Sequence, residues 1–213
     1  MKLVTELYTT QRLEWPEKGH QMLAQFDDSS ITIYQAFSKD IAEFAVAHTY
    51  LGGNFRLNRM SWIKPNFLWM MYRSGWATKS GQEHVLAIKI GRPEFEEILR
   101  QAVHSHYVPA IYETEERWRE VVAGSDVRLQ WDPDHDPYGK PLQRRAIQLG
   151  LREQLLRKYA EEWIISVEDI TEFVQEQQQH IALSKLECLH TPVEKIYPIG
   201  DTNLAKRVGL SVD

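Results

Sequence analysis

A core helix is predicted by the run Lys64-Pro65-Asn66-Phe67-Leu68-Trp69-Met70-Met71-Tyr72-Arg73-Ser74-Gly75. Pro65 suits the start of a helix, because the first turn leaves its N–H groups unpaired and proline has none. Gly75 suits the end, because glycine adopts a left-handed backbone without steric cost. We therefore predict a helix over residues 66–74, and its many aromatic and methionine side chains are typical of a buried element.

The segments around this helix carry both strand and helix patterns. Strands are predicted at residues 31–37, 85–90, 127–131 and 163–167, where β-branched and aromatic residues alternate or run together. Helices are predicted at residues 39–50, 93–104, 151–160 and from 169 onward. Residues 1–30 are interpreted as irregular, 132–139 as a loop, 191–213 as an extended C-terminal tail of coil, and 146–149 fit either a strand or a helix. Because the order lacks a strict βαβ rhythm, we predict one α+β domain over residues 1–213, with a small mixed or antiparallel sheet packed with helices.

The composition is that of a chain that buries a core, since 43% of the residues are hydrophobic and 26% are charged. The single cysteine, Cys188, excludes an intramolecular disulfide and fits a reducing compartment. An acidic residue, Glu6, follows closely after Met1, and the first residues lack the apolar core of a signal peptide. No apolar run approaches the roughly 20 residues of a membrane helix. We therefore expect a cytoplasmic protein without a membrane partner.

The charge of the chain is unevenly distributed. Its formal net charge is −5, yet residues 44–82 contain no Asp or Glu. The basic residues in that stretch are Arg56, Arg59, Lys64, Arg73 and Lys79. Such asymmetry indicates one positive surface on an otherwise acidic protein.

Anion binding is the functional interpretation of this basic stretch. Arg59, Lys64 and Arg73 would bind phosphate or carboxylate groups, and Trp69 or Tyr72 would stack on a ring. The alternative is that the aromatic residues are core residues and the basic side chains extend to solvent at the ends of a buried helix. The core interpretation explains the apolar positions well, but it does not explain why acidic residues are missing.

A second candidate site follows the predicted strand 127–131. Residues 130–136 hold three carboxylates and an imidazole, and we assign an acid or base role to Asp134, His135 and Asp136. A calcium loop of the EF-hand type is excluded, because Pro137 stands where glycine is needed and Gln143 where the bidentate glutamate belongs. The alternative is a turn whose carboxylates cap backbone amides. No metal ligand is assigned. If this segment meets the predicted core helix, then Arg144, Arg145 and Gln148 would line the same cleft.

Three motifs resemble the domain-of-unknown-function 4291 family over nearly the whole chain. They are the run from Lys64 to Ser74, the segment Gln130-Trp131-Asp132-Pro133-Asp134-His135-Asp136, and Arg144-Arg145-Ala146-Ile147-Gln148-Leu149-Gly150-Leu151. Asn66 departs from this pattern, where Ser is usual. The resemblance implies a one-domain protein and supplies no mechanism.

A fainter resemblance links residues 33–37 to the first core strand of ADP-ribosyltransferase-like proteins. In that interpretation Tyr34 and Gln35 would line the pocket, Arg59 and Arg73 would bind the pyrophosphate of NAD, and Trp69 or Tyr72 would stack on a ring. Gln35 stands where such proteins carry His or Arg, which weakens the expectation that NAD is the cofactor.

Two function classes remain. One is an enzyme acting on a nucleotide or nucleic acid; the other is a non-catalytic module that binds a phosphorylated ligand or nucleic acid through the same surface. The negative net charge disfavours strong non-specific nucleic-acid binding. The chain has no phosphate-binding loop with the G-x-x-x-x-G-K-[ST] pattern and no G-x-G-x-x-G, G-x-S-x-G or H-E-x-x-H motif.

Overall fold

A computed structural model describes residues 3–211; residues 1–2 and 212–213, the ends of the predicted domain and tail, lie outside it. The α-helices are α1 Tyr8–Gln11, α2 Lys39–His48, α3 Phe67–Ser74, α4 Arg92–Gln101, α5 Glu115–Gly124, α6 Glu153–Glu161, α7 Thr171–Ala182 and α8 Thr202–Arg207, with a 3-10 turn at Leu186–Cys188. The strands are β1 Thr5–Leu7, β2 Gly19–His20, β3 Leu23–Ala24, β4 Ser30–Phe37, β5 Ser61–Ile63, β6 His84–Gly91, β7 Ala102–His104, β8 Val127–His135, β9 Pro141–Leu151, β10 Ile164–Asp169, β11 His190–Pro192 and β12 Lys195–Ile196. None of the helices within residues 3–211 has the length and apolar composition that a membrane crossing requires.

Two main sheets make this an α+β fold, as the sequence predicted. One sheet is antiparallel, with the order β10-β6-β4. The other has the order β2-β9-β8-β7, and β5 also pairs with β9. The second sheet is mixed, because β2 and β7 pair in parallel with their neighbours. The sheets meet where the Tyr34 N–H donates to the Lys64 carbonyl oxygen at 2.7 Å.

The three-stranded sheet is buried on both faces. Ile33 of β4 and Ile88 of β6 lie in a core shared with Leu149 of the mixed sheet. The opposite face carries Tyr34, which packs in a second core with residues of α3 and α7. The alternation predicted for residues 31–37 is therefore present, but it separates two apolar cores rather than a core from solvent.

Helix α3 forms where the sequence predicted a helix. The side chain of Asn66 accepts a hydrogen bond from the Trp69 N–H at 2.7 Å and so caps the first turn. Gly75 ends the helix with φ of 60°, in the left-handed region that favours glycine. The five consecutive residues from Phe67 to Met71 are apolar and buried. Helix α3 is therefore a core helix, as the sequence predicts.

Two predicted boundaries are wrong, for the same physical reason. The predicted helix 93–104 ends at Gln101, because residues 102–104 pair with β8 as strand β7. The first half of the predicted loop 132–139 is strand, because β8 continues to His135 opposite β9, with an irregularity in register after Pro133. Long-range strand pairing overrides the local pattern in both places. Strand β9 also decides the ambiguous residues 146–149 in favour of a strand.

The C-terminal segment is not coil within its described part. β11 pairs with β1, β12 pairs with β3, and α8 follows. Glu194 between these strands is 4% exposed and anchors the segment to the start of α3. Its carboxylate accepts hydrogen bonds from the Phe67 N–H at 2.6 Å and from Asn66 Nδ2 at 3.0 Å. The C-terminal segment therefore holds the first turn of α3 in place.

We expect Glu194→Ala to lower the free energy of unfolding by about 2–6 kcal/mol, because two buried donors lose their acceptor at about 1–3 kcal/mol each. Urea denaturation followed by circular dichroism measures this. Glu187→Ala is the matched control: Glu187 is exposed in the 3-10 turn that precedes this segment, and we expect a change within about 0.5 kcal/mol. Equal stabilities of the two variants would contradict the anchoring role.

Candidate functional site

A cleft of about 660 Å³ lies beside the C-terminal end of β4, strand β5 and helix α3. Its basic residues are Arg56 and Arg59 from the loop before β5, Lys64 after β5, and Arg73 near the end of α3. None of the described residues that line it is acidic. The structure thus brings the three predicted anion-binding residues, Arg59, Lys64 and Arg73, around one concave surface.

The positive charges of this cleft are not neutralised by the protein. Within the described chain, no carboxylate forms an ion pair with any of its four basic residues. Other basic residues are paired, as Arg100 is with Glu96 and Glu97. A concave surface lined by charge of one sign focuses the field and attracts anions.

Lys64 differs from the arginines of the cleft because it is only 3% exposed. Burial and, to a lesser extent, the positive charge of Arg73 together lower the pKa of Lys64 to about 7, against the opposing effect of Asp132. Near neutral pH, the Lys64 amine is therefore divided between its charged and neutral forms.

Three glutamines support the inner wall of the cleft. Gln35 donates to Ser61 Oγ at 2.9 Å and to the Trp62 carbonyl at 3.1 Å, and it accepts from the Tyr159 hydroxyl at 2.7 Å. Both donor positions of its amide are thus used by the protein. The side chain of Gln35 therefore braces β4 against β5, and its predicted ligand contact is limited to its remaining acceptor capacity.

Gln148 and Gln130 face each other across β9 and β8, and both line the cleft. Gln148 Nε2 donates to Gln130 Oε1 at 2.8 Å and to Asp132 Oδ2 at 2.6 Å. The predicted segment 130–136 therefore borders the cleft through its first residue. Asp132 is held by Gln148 just outside the lining residues.

Tyr34 does not line the cleft, contrary to expectation. It is fully buried, with its ring 5.5 Å from that of Phe67 in an edge-on contact. Its hydroxyl has no hydrogen-bond partner within residues 3–211. The reason is strand geometry: Tyr34 and Gln35 are adjacent in β4, so their side chains point to opposite faces.

Trp69, Tyr72 and His135 stack on one another rather than around a ligand in the cleft. The ring centres of Tyr72 and His135 are 3.5 Å apart, and those of Trp69 and His135 are 5.2 Å apart. Burial lowers the pKa of His135, although the carboxylates of Asp134, Asp136 and Asp132 oppose the shift. The three rings are not among the residues that line the cleft, so the structure does not place them against a ligand there.

Asp134 and Arg144 form a buried ion pair. Arg144 donates to Asp134 Oδ2 from Nη2 at 2.6 Å and from Nε at 2.8 Å, and from Nη1 to the Pro16 carbonyl at 2.7 Å. The guanidinium also lies 5.4 Å from the Trp15 ring centre. Neither residue lines the cleft. Their contacts tie β8 to β9 and β9 to the N-terminal segment, which is a structural role.

Asp136 caps the turn between β8 and β9. Its Oδ1 accepts from the backbone N–H groups of Tyr138 and Lys140, each at 2.9 Å. The capping alternative is therefore correct for this residue, and the predicted catalytic role is not supported by its position. Asp132, Asp134 and Asp136 have three different partners, and within residues 3–211 no three His, Cys, Asp or Glu side chains are grouped to hold a metal ion.

Arg145 lies at a second cavity of about 530 Å³. It shares that cavity with His20, His104, His106 and Lys206, away from Arg59 and Arg73. Arg144 and Arg145 are adjacent in β9, so their side chains lie on opposite faces. Neither residue is among those that line the basic cleft. Of the residues predicted after the Asp-rich segment, Gln148 alone lines that cleft.

The cleft also has aromatic walls that the sequence did not predict; they are formed by Phe37, Phe55 and Trp62. Trp62 offered a signal, since it stands in the basic stretch seven residues before Trp69. Phe55 lies in a glycine-rich loop and carried no periodic signal.

The geometry defines an α+β protein with a basic, glutamine-supported cleft. The chain belongs to the family described as domain of unknown function 4291, whose model matches residues 21–197. The match confirms the family that the sequence motifs predicted, and it includes every residue that lines the cleft. No curated protein sequence matches the chain.

We expect Arg144→Ala to destabilise the protein by about 3–5 kcal/mol, because it leaves the buried Asp134 carboxylate without its partner. Arg145→Ala is the matched control: Arg145 is exposed, and we expect a loss below about 0.5 kcal/mol. Thermal and urea denaturation of the two variants measure the difference. A stable Arg144→Ala protein would refute the structural role of this ion pair.

Proposed function

We propose that this protein is a nucleotide-directed enzyme, and that the cleft binds the phosphate groups of its ligand through Arg59 and Arg73. One observation carries the proposal: four basic residues surround the cleft, and none has a carboxylate partner among residues 3–211. Guanidinium groups bind phosphate with two parallel hydrogen bonds. An anionic ligand would supply the missing negative charge.

The size of the cleft favours a small molecule over a nucleic acid. A volume of about 660 Å³ is within the range of small-molecule sites, roughly 300–1,000 Å³. The net charge of −5 also opposes association with a long polyanion outside the cleft. A nucleotide fits both constraints, and Phe55 or Trp62 offers an aromatic wall for its base.

Arg73 is available for a ligand because another residue caps the end of α3. Lys79 Nζ donates to the Arg73 carbonyl at 2.7 Å and to the Tyr72 carbonyl at 3.3 Å. Lys79 thus satisfies the last carbonyls of the helix, a role that a basic residue at this position often has. The Arg73 guanidinium is exposed and extends to the cleft.

NAD is one nucleotide that this proposal includes. It carries a pyrophosphate for Arg59 and Arg73, and the resemblance of residues 33–37 to ADP-ribosyltransferase-like proteins favours it. Gln35 does not offer its amide donors to NAD, because both are used in hydrogen bonds to Ser61 and Trp62. NAD would therefore bind differently here than in ADP-ribosyltransferase-like proteins. ADP tests the phosphate contacts without the nicotinamide half.

We expect Arg73→Glu to weaken binding of ADP or NAD by at least about ten- to a hundred-fold, because a charged hydrogen bond worth about 1.5–3 kcal/mol is replaced by repulsion. Isothermal titration calorimetry measures the affinities, and circular dichroism checks the fold. A short single-stranded RNA is titrated in parallel.

Arg145→Glu is the matched control, since Arg145 is an exposed arginine outside the cleft, and its affinity for ADP should equal that of the wild type. The proposal is wrong if the wild type binds neither nucleotide at millimolar concentration, or if Arg73→Glu binds as well as wild type. Binding of RNA with no binding of ADP or NAD would favour a nucleic-acid ligand instead.

A further inference from the structure

The backbone of Lys64 is held by a contact between the two sheets. Its carbonyl oxygen accepts the Tyr34 N–H at 2.7 Å, which joins it to β4. It follows β5 directly, and Pro65 and the helix cap Asn66 follow it. Lys64 therefore lies at a rigid junction of a strand, a sheet edge and a helix, where a reactive group keeps its position.

Lys64 lines the cleft although it is only 3% exposed to solvent. The charged groups that act on its amine are Arg73 of α3 and Asp132 of β8. Arg56 and Arg59 also line the same cleft. A largely buried ammonium near a like charge is destabilised relative to the neutral amine.

Phosphate binding alone does not explain this arrangement. Arg59 and Arg73 are exposed and already supply permanent positive charge. A buried amine that loses its proton near neutral pH adds little to that charge. A desolvated lysine next to a cationic group is instead the arrangement that makes an amine nucleophilic.

We propose that the Nζ atom of Lys64 is a nucleophile that forms an imine with the carbonyl carbon of an aldehyde or ketone bound in the cleft. That the carbonyl compound also bears phosphate rests on the proposed function. Among nucleotides, the expected ligands are therefore those with a reducing sugar, because the open form of such a sugar has an aldehyde group.

The reaction needs no further reactant. The neutral amine of Lys64 attacks the carbonyl carbon, a C–N bond forms, and the carbonyl oxygen takes up a proton to give a carbinolamine. The C–O bond then breaks, and the oxygen leaves as water with the two hydrogens that the amine carried. The product is a C=N bond to Nζ, and no atom is oxidised or reduced.

The test compares two aldehydes that differ in one phosphate, pyridoxal 5′-phosphate and pyridoxal. Wild-type protein is incubated with each at pH 7, the imines are reduced with borohydride, and labelled lysines are located by peptide mass spectrometry. We expect Lys64 to be labelled at least about tenfold faster than Lys79, the exposed lysine at the end of α3. The labelling rate of Lys64 should rise with pH to a plateau, with its midpoint near the pKa of about 7.

The two aldehydes separate this inference from the proposed function. Faster labelling of Lys64 by the phosphorylated aldehyde, lost in Arg73→Glu, supports both. Equal labelling of Lys64 by both aldehydes supports the nucleophilic amine and contradicts the phosphate site. If neither aldehyde labels Lys64 faster than Lys79 at pH 7, or if labelling of Lys64 rises only near pH 10 as for ordinary lysines, the inference is overturned.

Discussion

The hydrogen bond between the Tyr34 N–H and the Lys64 carbonyl is the contact on which the candidate site depends. It joins the antiparallel sheet to the mixed sheet at the point where α3 is about to begin. Because Lys64 provides both this backbone contact and a lining side chain, the position of the cleft is set by the junction itself. Glu194 reinforces the junction from the C-terminal segment by binding the first turn of α3.

The cleft stays positive because the segment that supplies its four basic residues contains no acidic residue. Several acidic residues of the surface helices form ion pairs, as Glu115 does with Arg119 and Glu161 with Arg157. Residues 44–82 contain no carboxylate, so Arg56, Arg59 and Arg73 have no local partner. Clustered like charges oppose folding, and a protein retains such a cost most readily at a functional site.

The sequence predicted the elements with strong local signals and failed where distant contacts decide. The bounds of α3 and the grouping of Arg59, Lys64 and Arg73 followed from caps and charge. The ion pair of Asp134 could not be predicted from the sequence, because its partner Arg144 lies on the neighbouring strand and only the β8–β9 register brings the two together. In α3, Arg73 and Met70 line the cleft, whereas Tyr72 stacks on His135 outside it. The sequence could not predict which side of α3 faces the cleft, because a helix that is apolar on most sides has no clear polar face.

We infer that the basic residues of the cleft bind the phosphates of a nucleotide. A crystal structure of the protein grown with ADP tests it most directly. We expect the diphosphate within hydrogen-bonding distance of the Arg59 and Arg73 guanidinium groups, with the adenine against Phe55 or Trp62. ADP bound instead at the second cavity beside Arg145 and Lys206, or an empty cleft at millimolar ADP, would contradict the account.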